Sequence, residues 1–463
     1  MAKSSLFFET LDMAEKGRIL TEVDFDKQLY NHIKNFQKKY PVIKYDPKKL
    51  VPSNDEMADA LFEGGVKLAA ENGIMVLSSE RVVKFSEDEI RRYVSLLKGD
   101  IPLGKGNERI HLRQRRVEDK GLPLVIGGGA GSPISEGEHY VKFIQSYARE
   151  PVVDLINNGC PASVEGRHPK AGSPLELHGA INEVAWIREG ARRAGRPGMP
   201  MMVGPGMAVT AIAVAGAINE ERGIRRGDIV LVAMLNELKT DYDRLNRAVI
   251  LAENAISAVS LIDPMLGGYA GPPEGTALVA VASCLLSCLV YNAETAILHP
   301  IHPHFKNGAT TPPATLWIEN IVTQALARNC NFQICNNLFT VGRSGSEMVL
   351  YEVAANSIGS TVSGGHIGPG VGGVTGGVDQ DCITGLEGRL MGEVAKASAS
   401  LSRQDANEIV MNMVSRYEGQ LMSPPQPKKF RDCYDWDLVL PKAEWFDLYS
   451  KVKKELAEMG LKI

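Results

Sequence analysis

Three stretches of the 463-residue sequence carry side chains that can do chemistry. In LVAMLNELKTD, Leu231–Asp241, an apolar run ends by delivering Asn236, Glu237 and Lys239. A carboxylate placed at the end of a buried strand can handle a proton or orient a departing group. In LHPIHPHF, His299, His302 and His304 offer imidazoles for general acid work or for zinc. Pro300 and Pro303 break the alternation that a His-x-His metal pair needs, so no bound metal is expected. The third stretch, SGGHIGPGVGGVTGG, holds eight glycines between Gly364 and Gly377. Its core, GPGVGG, formally fits GxGxxG, and Gly368, Gly370 and Gly372 are the candidate cofactor-binding positions. It has neither a Walker lysine nor a clear following helix, so a mobile lid that orders on a partner is the preferred reading.

These side chains need elements to position them. Short apolar or β-branched runs recur at about 27 to 48 residue spacing: PLVIGG, VVDLINN, PMMVG, DIVLVAML, AVSLID, TAILHPI, FQICNNL and GSTVSGG. Helical patterns such as ELHGAINEVAWIREGARRAG and DYDRLNRAVILAENA lie between most of them. Continuous apolar runs fit strands covered on both faces, and eight strand–helix units predict an α/β fold, a (β/α)8 TIM barrel. Residues 1–120 read as an N-terminal helical layer, with a capping box at Ser86 and Glu89. Residues 121–463 read as the barrel, with C-terminal helices packed on it.

In such a barrel the active site lies at the C-terminal strand ends. Those ends deliver Asn157, Glu237, Asp263, His299 with His302, Asn337 and His366. Glu237, His299 and His302 are the catalytic candidates, while Asn157, Asp263, Asn337 and His366 are candidates for binding substrate. Helix capping is an equal alternative for Asp263.

Composition bounds the rest. A net charge of -4 gives no reason to expect nucleic acid or a membrane surface. The 7 cysteines include no CxxC pair, so a reducing cytoplasm is expected. TALVAVASCLLSCLVY, Thr276 to Tyr291, is shorter than a membrane span and reads as a buried helix that could also serve as a subunit contact in a homo-oligomer.

GSPISEGE (Gly131–Glu138), RRAGRPGMP (Arg192–Pro200), LNELKTDYD (Leu235–Asp243), LGGYAG (Leu266–Gly271) and GLEGRLMGEVAKA (Gly385–Ala397) resemble blocks of the monomethylamine:corrinoid protein methyltransferases of methanogenic archaea. The likeness is collinear from near Pro52 to the C-terminus. It implies a (β/α)8 barrel that moves a methyl group from a small methylated substrate to cobalt(I) of a separate corrinoid protein. The corrinoid (cobalamin) would stay on that partner, because no Asp-x-His-x-x-Gly motif occurs in this chain. Glu237 matches the family's NEL glutamate, His299 and His302 match a His-containing strand end, and Asn337 falls where the family has a polar side chain. Tyr269, in the LGGYAG block, joins the substrate-binding candidates.

The family also carries pyrrolysine on a segment around a Gly-Pro turn. Here that segment reads PMMVGPGMAVTAIAVAG, Pro200 to Gly216, and offers no residue able to form the corresponding amine adduct. Members without pyrrolysine are associated with quaternary amines and methoxylated aromatic compounds. With aromatic residues at only 6%, a cage for a quaternary ammonium is not evident, so O-demethylation of a methoxylated aromatic is the expected reaction. Arg167 would then hold a substrate carboxylate, a solvated loop being the equal alternative. A quaternary or other methylated amine donor is one alternative; a zinc-dependent barrel hydrolase is another of different class.

Overall fold

The computed structural model describes residues 2–305, 308–372 and 379–463. Eight parallel strands form one sheet: β1 Ile126–Gly127, β2 Leu155–Asn157, β3 Met201–Val203, β4 Ile229–Ala233, β5 Ser257–Ile262, β6 Thr295–Leu298, β7 Gln333–Phe339 and β8 His366–Gly372. The strands follow chain order around the sheet, and a parallel bridge between Val125 and Ile367 joins β8 back to β1. The expected (β/α)8 barrel is therefore present. The helices after successive strands are α1 Glu138–Ala148, α2 Pro174–Arg193, α3 Ala211–Ala217, α4 Tyr242–Glu253, α5 Pro273–Val290, α6 Pro313–Asn329, α7 Glu347–Ser363 and α8 Gly385–Ser398.

Local chemistry sets these helices in place. Ser173 caps α2, accepting a hydrogen bond from the Glu176 amide, with Pro174 at the first helical position. Asp241 caps α4 by accepting from the Arg244 amide at 2.9 Å. Helix α5, the apolar run singled out in the sequence, is long and apolar enough to cross a membrane by length and composition. It is instead 89% buried, packed against helix Asp55–Asn72 and α6.

Seven of the eight expected strand runs contain a barrel strand. The eighth, GSTVSGG, does not: Gly359 to Ser363 finish α7, and Gly364 caps that helix in the left-handed conformation (φ 91). Helix α7 is buried all round, so no polar face marks it as helical in the sequence. The glycine-rich stretch does not follow the last strand; its first part is the last strand. A Cβ at Gly370 would collide with the carbonyl oxygen of Gly128, and one at Gly372 with that of Ala130. At Gly368 the obstacle is the Ile126 carbonyl, 2.5 Å from a built Cβ. These glycines let β8 run against residues 126–130 with no side chain between. The lid expectation for Gly364 to Gly377 thus fails for Gly364–Gly372, and its remainder lies outside the described residues. Gly370→Ala, which adds this overlap at a φ of +50, is expected to cost about 2–4 kcal/mol in chemical denaturation.

The N-terminal layer holds four helices, Ala2–Lys16, Glu22–Lys39, Asp55–Asn72 and Glu87–Ser95, the last with the expected Ser86–Glu89 capping box. It also holds strands. Ile74–Val76 and Arg81–Val83 form a hairpin whose edge pairs with Lys239–Thr240 from the loop after β4. A second hairpin, Asp100–Leu103 with Ile110–Arg113, supplies Ile101, Leu103 and Leu112 to the cluster that fills the barrel interior. At the C-terminal end of the chain, Arg403–Tyr417 packs on α7, as does Ala443–Glu458.

Candidate active site

The interior cluster shows which way each strand faces. Ile126, Leu155, Met202, Ile229, Val259, Ile297 and Cys335 pack together inside the barrel. Side chains alternate along a strand, so the residue two positions on faces inward one layer higher. That layer is Gly128, Asn157, Gly204, Leu231, Leu261, His299 and Asn337. Asp263, Phe339 and Ala233 stand one step above it on their strands. Four of the predicted residues, Asn157, Asp263, His299 and Asn337, therefore converge on the C-terminal mouth.

Glu237 lies in the tight loop after β4, closed by paired hydrogen bonds between Leu235 and Lys239 at 2.9 and 3.0 Å. It is 5% exposed. Its Oε1 accepts from the Met265 amide at 2.8 Å, while Oε2 has no partner. Burial pushes its carboxyl up to about 7; the Met265 hydrogen bond opposes this and the Asp263 charge adds to it. Asp263 is pushed by burial up to about 7 as well, and its Oδ1 also lacks a partner. Both residues border one small void of about 10 Å³ with Asn236 and Ser283. Asn157 donates from Nδ2 to the Met202 carbonyl at 2.6 Å and keeps an unpartnered Oδ1. These are three buried acceptor oxygens near the strand ends that lack hydrogen-bond donors among the described residues.

The histidines behave differently from their expected acid role. His299 donates from Nε2 to the Gly308 carbonyl at 2.8 Å and lies 4.3 Å from the Phe339 ring. Burial holds its pKa down near 4, so at neutral pH it is uncharged and its one N–H is engaged. His302 is half-buried, with its ring 5.4 Å from that of His304 and 4.7 Å from that of Phe305. Its pKa is lowered by burial first and by His304 second. Among the described residues no three His, Cys, Asp or Glu side chains gather as a metal donor set.

Asn337 is buried, and its Oδ1 accepts from the Leu338 amide at 3.0 Å. Tyr269 is 50% exposed beside Glu237, in the loop after β5. Arg167 is exposed in a turn closed by Val164. His366 requires correction. It opens β8 rather than ending a strand, so it sits at the opposite end of the barrel. There it donates from Nε2 to the Arg113 carbonyl (2.9 Å) and accepts on Nδ1 from the Leu124 amide (3.0 Å), locking the barrel seam. His366→Ala is expected to cost about 2–4 kcal/mol in denaturation and to leave turnover per folded molecule unchanged. Gly368, Gly370 and Gly372 serve the strand contact described above.

Sequence reasoning missed Glu183 and the part played by Lys239, two residues that shape the site. Glu183 of α2, fully buried, accepts from the Gly206 and Met207 amides (3.0 and 3.1 Å), Asn158 Nδ2 (3.1 Å) and the Tyr140 hydroxyl (3.4 Å). It fixes the turn after β3; burial lifts its pKa to about 7. Lys239 is 5% exposed and bonds Asp26 and Glu22 of helix Glu22–Lys39. Glu183 is one of several charged residues in α2 and nothing local sets it apart, nor does anything local mark the partners of Lys239.

A closed eight-stranded barrel with carboxylates at the C-terminal ends of its strands has the (β/α)8 architecture, whose active sites lie at that end. A family model described as monomethylamine methyltransferase MtmB matches residues 6–461, and the chain belongs to that family. It is 35% identical over 465 residues to monomethylamine methyltransferase MtmB2 of Methanosarcina acetivorans, covering 99% of each chain. With MtmB1 of Methanosarcina barkeri the identity is 34% over 463 residues, again with 99% of each covered. The crystal structure of a hydroxylamine complex of MtmB superposes with a TM-score of 0.93 at 33% identity, covering 98% of both chains. That of the Methanosarcina barkeri enzyme gives 0.92 at 32% identity with the same coverage. The protein is a methyltransferase.

Proposed function

We propose that this methyltransferase moves a methyl group from a methylated amine to a corrinoid protein in the cytoplasm. The observation that carries the amine reading is the pair Glu237 and Asp263, each with a buried, unpartnered oxygen at the mouth. An ammonium nitrogen satisfies such oxygens, whereas a departing phenolate is repelled by them. The relatives are monomethylamine methyltransferases, which supports the same choice. An aryl ether, the donor expected from the sequence, finds less support. The N–H of His299 is occupied and Arg167 stands exposed in its turn.

The donor is held without a covalent bond in this reading. In the segment matched to the family's pyrrolysine region, the one hydroxyl is that of Thr210, which donates to Glu176 at 3.1 Å. The other residues of Pro200–Gly216 are Pro, Met, Val, Gly, Ala and Ile. An N-protonated or fully alkylated nitrogen then leaves as a neutral amine, with the C–N electron pair staying on nitrogen.

Gly128 and Gly204 let adjacent strands pack closely in the upper layer: a Cβ on the first would collide with the Asn157 carbonyl, and one on the second would meet Leu231 at 2.7 Å. When docked, the partner's corrinoid supplies the cobalt(I) nucleophile. Glu237 and Asp263 neutralise and orient the donor cation, and Asn157 Oδ1 accepts a further N–H if one is present. For a neutral amine, Glu237, half-protonated near pH 7, gives nitrogen its proton.

The test is an anaerobic assay with a cobalt(I) corrinoid protein, followed by its visible spectrum. Methylated amines should methylate the corrinoid and methoxylated aromatics should not. Transfer from the aromatics alone would reverse the assignment.

A further inference from the structure

A cleft of about 670 Å³ opens beside the barrel mouth. Its walls are Tyr30 and Lys27 from helix Glu22–Lys39, Met265, Gly268 and Tyr269 from the loop after β5, and Asn236, Glu237 and Lys239 from the loop after β4. We propose that this lateral cleft is where the methylated ammonium donor binds and enters, with Tyr30 and Tyr269 holding the cation against Glu237. The proposal rests on the amine reading for the identity of its ligand.

Four observations support it. Tyr30 and Tyr269 are 48% and 50% exposed, unusual for large aromatic side chains, and both face one cavity. Aromatic faces attract ammonium ions electrostatically and need no N–H from the ligand. The cleft ends on Glu237, whose Oε2 is buried without a partner. Finally, the charge of Lys239 near Glu237 is opposed by its own partners, since its ammonium is bonded to Asp26 and Glu22 at 2.8 Å. Lys27, at the rim, is 69% exposed, so solvent screens it. The volume suits a small organic ligand. A side entrance also leaves the barrel axis free for the corrinoid, so donor and acceptor reach the methyl carbon from separate directions.

Gly268 provides a clean blockade. A Cβ there meets nothing closer than the Met265 carbonyl at 3.4 Å, an ordinary contact, and its φ lies outside the left-handed region. Gly268→Leu should therefore fill the cleft without disturbing the fold. The experiment is calorimetric titration of the full-length protein with choline and with its uncharged carbon analogue, alongside circular dichroism. Millimolar choline should bind, and the uncharged analogue should bind at least tenfold more weakly. Gly268→Leu and Tyr269→Ala should each weaken choline at least tenfold; Tyr30→Ala should do the same and Tyr30→Phe should not. No choline binding, equal binding of the analogue, or unchanged binding in Gly268→Leu would each overturn the proposal. The two readings fail separately. Choline binding in this pattern without amine-dependent corrinoid methylation sinks the proposed function and leaves the cation site. Amine turnover with an unaltered KM in Gly268→Leu sinks the cleft and leaves the function.

Discussion

Glu237→Gln is expected to lower methyl transfer by at least about 100-fold while raising stability above neutral pH. The first effect follows from charge. Glutamine keeps the Met265 hydrogen bond through its carbonyl oxygen but neither neutralises an ammonium nor carries a titrating proton. The second follows from burial. The folded carboxyl titrates near 7, above its ordinary 4.5, so folding favours the protonated form. That contribution is fully present below the ordinary value and is lost as pH rises through 7. At its limit the loss is about 3 kcal/mol for a shift of this size. The variant lacks this loss, so its stability advantage over the wild type should grow between pH 5 and 8. Parallel denaturation series across that range give the difference directly. A variant less stable than wild type at pH 8, or one retaining near-normal transfer, removes Glu237 from the role assigned to it.

The fold was legible where strands read as short continuous apolar runs, because a barrel strand is covered on both faces. AVSLID and TAILHPI each start within one residue of a strand. Asp263 ends the first run and His299 directly follows the strand in the second, which is why four mouth residues could be named by sequence alone. The eighth strand was illegible for the opposite reason. HIGPGVG has almost no apolar pattern, since β8 is defined by how close it comes to residues 126–130 and not by what it buries. Misplacing that strand moved His366 from the bottom of the barrel to the top. The chemistry of His299 was also out of reach: its type and strand-end position were visible, but its bond to Gly308 depends on how the following loop folds back. Tyr30 is the extreme case. It is separated from Glu237 by most of the N-terminal layer, and only the tertiary fold makes the two residues neighbours in one cleft.

One buried ion pair links the two sides of that cleft, and breaking it should cost about 3–5 kcal/mol. Lys239 Nζ lies 2.8 Å from Asp26 Oδ1 and 2.8 Å from Glu22 Oε1. Lys239 and Asp26 are both buried, whereas Glu22 is 54% exposed on its side chain. Lys239→Met would keep the stem that packs in the loop and strand the Asp26 carboxylate in the interior. Losing Glu22 as a partner adds little, since its charge returns to water. Pairing the change with Asp26→Asn removes the stranded charge, so the double variant should recover at least half of the loss. The same pair ties the loop that carries Glu237 to the helix that carries Tyr30. Its removal should therefore raise the KM for the donor more than it lowers kcat, since the cleft loosens while the barrel mouth stays intact. Urea denaturation of the wild type, both single variants and the double variant closes the cycle. A Lys239→Met cost below about 1 kcal/mol, or a double variant no more stable than that single one, would show that the pair does not hold helix and loop together.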